Sequence, residues 1–369
     1  MRWGRYVNMA DENGFALSCS AKSALSLSPV ATFPGLRVLL WSDSFLYASR
    51  GYDLLRAEIG EVPIEWRHVA RHNPQWWRNA SSSILLTSRL FRDGFHALAK
   101  LSSGHLVGAV PGAIVTLNPD ENVFRISHRI LRGTRPLHIA TTLAGHLYWG
   151  EYFDNPCRDE VHIYASTDRG DTWRVAYTFP KGAIRHVHNI VHDPWQHCLW
   201  ILTGDNGSEC QILRASIDLT NVEPVLSGGQ QVRAVAAVPA EDGLYFSSDT
   251  PLEKNFIYRL DRDGNFCKLS ELSSSSIYGC RTSGALFFST MVEPSQVNLD
   301  RAASLYGSLD QTRWRRKLEW KKDRWPMRFF QYGNAILPDG NNTTDFLAVT
   351  TIAVRPGDLE TSIWRVVAE

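Results

Sequence analysis

Residues 161–179 read VHIYASTDRGDTWRVAYTF, and this stretch decides the predicted fold of the chain. Apolar and polar residues alternate on both sides of a polar turn, which is the pattern of two β-strands joined in a hairpin. Within the turn, the Asp168 carboxylate can accept hydrogen bonds from the backbone, and Gly170 permits a positive φ. Trp173 supplies a large apolar group that can fill the gap between the last two strands. The stretch therefore predicts a tight turn that is stabilised by its own side chains.

Weaker copies of this turn recur along the chain at a nearly constant spacing. The aspartates at comparable positions are separated by 48, 50, 45 and 47 residues, and they are Asp120, Asp168, Asp218, Asp263 and Asp310. A repeat of that length without amphipathic helical stripes is typical of propeller blades. The spacing predicts one all-β domain over residues 1–369, a seven-bladed β-propeller with four antiparallel strands per blade. Six blades are the alternative.

Two segments stand apart from the repeat. Residues 61–90 lack the strand pattern and are predicted to form a helical or irregular insertion between blades one and two. The insertion could overhang the functional face and help to bind a substrate. The segment around Phe15 to Cys19 is a candidate for the strand that closes the ring, because closure removes exposed sheet edges.

The turn Ser166-Thr-Asp168-Arg-Gly170-Asp-Thr172-Trp173 resembles the Asp-box, S-x-D-x-G-x-T-W, of the sialidase-like propellers with BNR repeats. The resemblance covers this one motif and its degenerate copies. It implies a propeller in which the Asp-box is structural and lies on the face opposite the functional site. The early F/Y-R-I-P motif of the sialidases proper is absent from the sequence, so only the fold and the Asp-box are carried over.

Composition narrows the class of partner. The chain is 44% hydrophobic and 21% charged with a formal net charge of +1, which offers no bulk electrostatic attraction for nucleic acid or an anionic membrane. The predicted partner is an oligo- or polysaccharide substrate. The first residues lack the apolar core of a signal peptide, which predicts a cytoplasmic protein, with a secreted or periplasmic one as the alternative if the natural chain begins earlier. The six cysteines show no paired spacing and are expected to be free thiols.

Polar residues of three types recur where each blade begins. The residue near the start of each predicted first strand is Arg37, His96, His138, His188, Arg233, Tyr278 or Tyr332. A dry core does not select Arg, His and Tyr, so the column predicts a polar ligand site at the mouth of a central channel. The alternative is a water-filled channel in which polar residues cost little.

Loops from blades three to five are predicted to add side chains to the same mouth. These residues are Trp149, Glu151, Tyr152, Asn155, Arg158, Arg185, His186, Asp205 and Asp249. Loops on a rigid scaffold commonly carry function, and this group combines carboxylates, imidazoles and guanidiniums.

The favoured chemistry is β-elimination on a uronate-containing glycan, which needs a cation, a base and an acid. Arg185 and Arg233 are predicted to neutralise the sugar carboxylate. His188 or His186, with His138 as a further candidate, is predicted to take the proton. Tyr152 or Tyr278 would protonate the leaving oxygen. Several propeller polysaccharide lyases use His, Tyr and Arg in this way, and the set resembles theirs. Substrate binding is assigned to the remaining residues, which are Arg37, Arg158, Asn155, Asp249, Tyr332 and Trp149.

Three alternatives stay open. A retaining or inverting glycoside hydrolase would use two carboxylates from the set Glu151, Asp205, Asp249 and Glu293. No cofactor is expected, but a divalent metal ion held by His96, His138 and His188 is a further possibility. A non-catalytic propeller would bind a protein, or would bind a glycan on the stacking surfaces of Trp149, Trp195 and Trp200.

Overall fold

The computed structural model describes residues 24–60 and 63–369 and consists almost entirely of β-strands. The predicted segment around Phe15 to Cys19 lies outside these residues. Most strands belong to antiparallel meanders of four, ordered from an inner to an outer strand. We call these units meanders one to seven, following the chain.

The first three meanders come from the N-terminal part of the chain. Meander one contains β2 (Arg37–Asp43), β3 (Phe45–Arg50), β4 (Asp53–Glu58) and β5 (Arg67–His72). Meander two contains β6 (Ala97–Lys100), β7 (Leu106–Val110), β8 (Ala113–Leu117) and β9 (Val123–Arg129). Meander three contains β10 (Ala140–Thr141), β11 (Leu147–Gly150), β12 (Val161–Ser166) and β13 (Arg174–Phe179).

The next three meanders repeat the pattern. Meander four contains β14 (Val187–Asp193), β15 (Cys198–Thr203), β16 (Gln211–Ala215) and β17 (Val222–Ser227). Meander five contains β18 (Ala234–Ala240), β19 (Gly243–Ser248), β20 (Asn255–Asp261) and β21 (Phe266–Leu272). Meander six contains β22 (Ser276–Arg281), β23 (Leu286–Thr290), β24 (Ala302–Ser308) and β25 (Arg315–Lys322).

Meander seven joins the two ends of the described chain. It contains β26 (Asn334–Ile336), β28 (Phe346–Ile352), β30 (Glu360–Ala368) and, as its outer strand, β1 (Leu25–Pro34). Two short strands stand beside the meanders, β27 (Asp339–Asn342) and β29 (Val354–Arg355). β27 pairs in parallel with β2, so the inner strands form a closed ring. Among the described residues, β1 from the N-terminal side completes meander seven by pairing with β30.

This arrangement is a β-propeller, and the all-β prediction is confirmed. Residues of inner and middle strands such as β7 and β15 are buried throughout, whereas the outer strand β25, RRKLEWKK, carries the charged residues that suit a sheet edge. The number of blades, seven, stays a prediction.

Helices occupy part of the predicted insertion 61–90. Residues 67–72 form β5, so the insertion is shorter than predicted and contains α1 (Trp76–Ser82) and α2 (Leu85–Phe91). A third short helix, α3 (Met327–Phe330), precedes meander seven. Arg89 on α2 is 4% exposed and forms ion pairs with Asp323 at 2.6 Å and Asp358 at 2.7 Å, which attaches the insertion to meanders six and seven. None of the described helices is long and apolar enough to cross a membrane.

The turn that dominates the sequence lies between the third and fourth strands of meander three. The Ser166 hydroxyl donates to Asp168 Oδ1 at 2.7 Å, and the Thr172 backbone N–H donates to the same oxygen at 3.0 Å. Gly170 has φ +87°, and a Cβ there would lie 2.6 Å from the side chain of Val107. The indole N–H of Trp173 donates to Ser127 of meander two, so the tryptophan joins two meanders. The weaker copies of this turn also lie between the third and fourth strands of their meanders.

The topology separates two faces of the ring. The inner strands begin, and second strands pass into third strands, on what we call the mouth face. The turns between first and second strands, and between third and fourth strands, lie on what we call the turn face. The Asp-box turn is thus on the face opposite the column of Arg, His and Tyr.

Stability should fall below neutral pH because of His72 at the end of β5. His72 is buried beside Tyr52, and burial lowers its pKa from 6.5 to about 4. Between these values the unfolded chain binds a proton that the folded chain does not, so this contribution is complete above pH 6.5 and is lost as the pH falls towards 4. We expect about 2 kcal/mol of the loss between pH 6.5 and 5 to come from this residue. Urea unfolding of wild type and His72→Leu at both pH values measures the difference, and equal pH slopes would contradict it.

Candidate functional site

The column of polar residues lies where the inner strands begin, on the mouth face. A small cavity of about 50 Å³ opens between them and is lined by Arg37, His96, Arg135, Leu137, His138, Val235, Ile277 and Tyr278. Four of these residues were predicted from the column. Arg135 was not, and Tyr332, which was, is 39% exposed and lines neither this cavity nor the larger one described below.

Two guanidiniums at this cavity stand out by their surroundings. Within residues 24–60 and 63–369, neither Arg37 nor Arg135 forms a salt bridge, and the Nε atom of each is buried without a hydrogen-bond partner. Burial lowers the pKa of both, and the neighbouring charges of Arg37 and Arg92 help to lower that of Arg135 to about 9. Both groups therefore remain cations at neutral pH in a site that disfavours positive charge.

His96 lies between the same cations. Its Nε2 is 2.7 Å from the carbonyl oxygen of Arg92, which assigns the N–H to Nε2 and leaves the lone pair on Nδ1. Burial, together with the charges of Arg135 and Arg37, lowers the pKa of His96 well below 6.5. The imidazole is therefore neutral at physiological pH.

A second polar cluster lies beside this cavity and contains His186, His188 and Asp205. The two Nε2 atoms are 3.1 Å apart, and Asp205 oxygens lie 3.7 Å from His186 Nε2 and 3.5 Å from His188 Nε2. The Nδ1 atoms lie 3.1 Å and 2.9 Å from the carbonyl oxygens of Phe153 and Ala234. Burial is the largest single effect on Asp205 and acts to raise its pKa. The contacts of its carboxylate with His188, His186 and Arg233 together outweigh burial and hold the pKa below its usual range. Burial lowers the pKa of His186 to about 4.

Arg185 and Arg233, which were predicted to neutralise the sugar carboxylate, pair with carboxylates of the protein. Arg185 lies 3.1 Å from Asp205 and also contacts Asp154. Arg233 lies 3.2 Å from Asp205 and 3.7 Å from Asp249. Burial raises the pKa of Asp249 to about 6 despite the nearby Arg233. The charges of Arg185 and Arg233 are therefore offset within the protein, whereas Arg37 and Arg135 have no carboxylate partner among the described residues.

Tyrosine hydroxyls flank both clusters. The Tyr152 ring packs 4.3 Å from the His186 ring, and burial with the charges of Asp249 and Asp205 raises its pKa above 10. Tyr278 lines the small cavity near Arg37. Both positions agree with the predicted location at the mouth.

Several predicted site residues have structural partners instead. Glu151 points away from Tyr152, as neighbours on an extended chain do, and accepts hydrogen bonds from Arg132 and from the His162 N–H. Asn155 bonds to the backbone of its own loop, and Arg158 pairs with Glu209 at 2.6 Å.

The predicted aromatic platforms are also mostly internal. Trp149 is buried and stacks on Tyr164 with ring centroids 4.2 Å apart, and Trp200 is buried and donates to Asp193. Trp195 alone of the three is well exposed, and it lies on the turn face between strands β14 and β15.

The predicted metal candidates do not converge as a set. His138 Nδ1 lies 2.9 Å from Asp339, His96 bonds to Arg92, and His188 faces His186. Asp339 and its hydrogen bond raise the pKa of His138, although burial, the largest effect, acts in the opposite direction. Among the described residues, the one group of three possible ligands within bonding reach is His186, His188 and Asp205.

A second cavity opens on the turn face and has a volume of about 870 Å³. It is lined by the ends of the inner strands, and its rim includes Lys100, Trp195 and Arg281. His138 lines both this cavity and the small one.

Arg135 shows what sequence reasoning missed. It lies three residues before His138, as Arg185 lies three residues before His188. The shared offset from the column was a usable signal. The lack of a carboxylate partner for Arg135 could not be predicted from the sequence, because Arg132 in the same loop is equally basic and is paired.

No family model and no curated protein matches the chain. Solved structures share its fold, including a chain in the crystal structure of the mitotic checkpoint complex, with 11% identity and a TM-score of 0.55 over 97% of this chain and 100% of that one. The WD40 β-propeller domain of Doa1 is 10% identical, with a TM-score of 0.55 over 93% of this chain and 97% of that domain. At such identities the likeness supports the β-propeller fold alone, and the resemblance to sialidase-like propellers stays a prediction.

Proposed function

We propose that this protein cleaves a uronate-containing glycan by β-elimination at the mouth face. The observation that carries the proposal is the pair Arg37 and Arg135, which are open to the small cavity and lack a carboxylate within the described chain. A buried cation without a partner is unfavourable, and a sugar carboxylate would supply the missing charge through strong, charge-assisted hydrogen bonds.

Binding of the carboxylate would prepare the proton transfer. Burial and the charges of Arg135 and Arg37 lower the pKa of His96. A bound carboxylate offsets those charges, so the basicity of the His96 Nδ1 rises when substrate is present. This replaces His186 and His188 as the proposed base, because their Nε2 atoms point at each other and both side chains are buried.

The reaction balances with these groups. His96 takes the proton from the carbon next to the carboxylate, and the arginines stabilise the negative charge that develops on the carboxylate oxygens. The electron pair forms a carbon–carbon double bond as the neighbouring carbon–oxygen bond breaks. A phenol of Tyr278 or Tyr152 protonates the departing oxygen. The products are an unsaturated uronide and a new reducing end.

Hydrolysis by paired carboxylates is less well supported by the geometry. Such enzymes need two carboxyl groups free to flank the scissile bond. Glu151 is bound to Arg132, and Asp205 is bound to Arg185 and Arg233. Asp249 lies beside Arg233, and Glu293 accepts from Ser275 at 2.5 Å.

Replacing His96 by alanine tests the proposed base. We expect turnover of an acidic polysaccharide to fall by about 100-fold or more while its binding is retained, since general base catalysis contributes on that scale. The matched control is His192→Ala, which removes an imidazole at the other end of an inner strand. Equal turnover of the His96→Ala variant and wild type would remove His96 from the mechanism.

A second candidate function is binding without cleavage at the turn face. The cavity of about 870 Å³ and the exposed Trp195, which lies 5.5 Å from the Arg281 guanidinium and 5.9 Å from that of Arg262, favour it. An exposed aromatic ring beside a cavity is a suitable stacking surface for a glycan. Binding that is lost in Trp195→Ala and kept in Arg135→Gln would support this function over the lyase.

A further inference from the structure

We propose that His186, His188 and Asp205 bind one divalent metal ion of the zinc class. The site is independent of the proposed lyase chemistry, which uses other residues. It differs from the triad His96, His138 and His188 suggested by the sequence, and it shares only His188 with that set.

Distances between the ligand atoms suit a metal ion. The Nε2 atoms of His186 and His188 are 3.1 Å apart, and the Asp205 carboxylate lies with Oδ1 3.5 Å from His188 Nε2 and Oδ2 3.7 Å from His186 Nε2. Bonds of about 2.0–2.1 Å in a tetrahedral zinc site place ligand atoms about 3.3 Å apart. The separation of the two Nε2 atoms is therefore close to one edge of a zinc coordination tetrahedron, and one ligand atom of each of the three residues lies within 4.8 Å of the others. The three side chains can thus supply three ligands, with one position left for water or another ligand.

The tautomers are set for metal binding. Each Nδ1 is within hydrogen-bond distance of a backbone carbonyl oxygen, which places the proton on Nδ1 and the lone pair on Nε2. Metal-ligating histidines commonly have this second partner, which fixes the ring orientation. In neutral rings, two lone pairs would face each other at 3.1 Å without a proton between them. A cation between them would remove that repulsion.

The surrounding charges hold the carboxylate without saturating the site. Arg185 and Arg233 each lie just over 3 Å from Asp205 and keep it ionised and oriented. Their own charges are offset by Asp154 and Asp249. The added charge of a metal ion therefore enters a region that is not strongly positive.

The three proposed ligands come from one meander and its edge. His188 lies in β14, His186 is two residues earlier on the same side of the chain, and Asp205 follows β15 in the same meander. A site built from one sheet needs little rearrangement to bind an ion. Two imidazoles and one carboxylate suit zinc, and also iron(II) or manganese(II).

The test is a titration of the chelator-treated full chain with Zn²⁺, followed by calorimetry and by the thermal unfolding temperature. We expect one Zn²⁺ per chain and a higher unfolding temperature with Zn²⁺ present. His188→Ala and Asp205→Asn should each weaken binding by about 100-fold or more, given that even second-shell changes cost about 10–100-fold. His192→Ala is the control and should bind as wild type does.

The outcomes separate this site from the lyase. Arg135→Gln should keep Zn²⁺ binding whether or not any glycan is cleaved. The Asp205→Asn variant preserves the shape of the side chain, and circular dichroism checks that it is folded. Wild-type protein that takes up no Zn²⁺ would overturn the proposal and would indicate that the two imidazoles share a proton. Equal Zn²⁺ affinity in wild type, His188→Ala and Asp205→Asn would also overturn it.

Discussion

Replacing Arg135 by glutamine is expected to abolish most activity and to leave the fold at least as stable as wild type. Turnover of an acidic polysaccharide should fall by about 100-fold or more, which is the scale seen when one group that stabilises developing negative charge is removed. Stability should not fall, because the substitution relieves repulsion between Arg135, Arg37 and Arg92. Residues in binding sites commonly show this trade-off, in which a substitution lowers activity and raises stability.

Arg132 is the matched control for that variant, because it lies in the same loop but has a partner. It bonds to the buried Glu151. Arg132→Gln should therefore destabilise the protein by about 1–3 kcal/mol, the usual cost of leaving a buried polar group unsatisfied. Initial rates and thermal unfolding of both variants measure the contrast. Loss of stability in Arg135→Gln, or full activity, would mean that Arg135 is a structural residue.

Removal of Arg89 is expected to have the largest effect on stability. Its guanidinium joins helix α2 to Asp323 and Asp358 and also donates to the Phe330 carbonyl. Arg89→Met keeps much of the side-chain volume but leaves Asp358 without its cation and Asp323 with Lys322 alone. Breaking a buried ion pair in this way costs about 3–5 kcal/mol.

Chemical unfolding of Arg89→Met against Arg214→Ala checks this expectation. Arg214 pairs with Glu223 at 2.6 Å, but both side chains are nearly half exposed, so its loss should cost about 1 kcal/mol or less. A similar small change in both variants would show that the insertion is not held by Arg89. Because α2 leads to Arg92 and His96 at the mouth, a loosened insertion should also reduce activity.

The meanders were predictable because the turns between their strands are formed by residues adjacent in the sequence. Ser166, Asp168 and Thr172 satisfy one another within one turn, so the turn leaves its mark in adjacent residues. The spacing of the copies then predicted the repeat and the face on which each strand begins. The same logic placed Arg37, His96 and Tyr278 together at one cavity.

Partners across the fold were not predictable from one sequence. Glu151 and Tyr152 are neighbours, yet one faces Arg132 and the other faces His186. Arg132 and Arg135 are equally basic residues of one loop. They differ in whether a carboxylate that is remote in the sequence lies close to the side chain in the fold. The strand β5 inside the predicted insertion was missed because RHVARH has few apolar residues and pairs as an outer strand.

The sequence predicted part of the arrangement of His186 and His188. Their two-residue spacing predicted that both rings lie on one side of a strand. Their orientation depends on the carbonyl groups of Phe153 and Ala234, which come from other meanders. This is why the sequence suggested a base where we propose a metal site.

The most direct test of the central claim is product analysis on acidic polysaccharides. Polygalacturonate, alginate and chondroitin sulfate are incubated with the protein, with dextran as the neutral control, and reducing ends and ultraviolet absorbance are followed together. The account predicts that at least one acidic substrate yields new reducing ends with a matching rise in the absorbance of an unsaturated uronide, and that Arg135→Gln yields neither. Reducing ends without that absorbance, or no product from any acidic substrate, would contradict it.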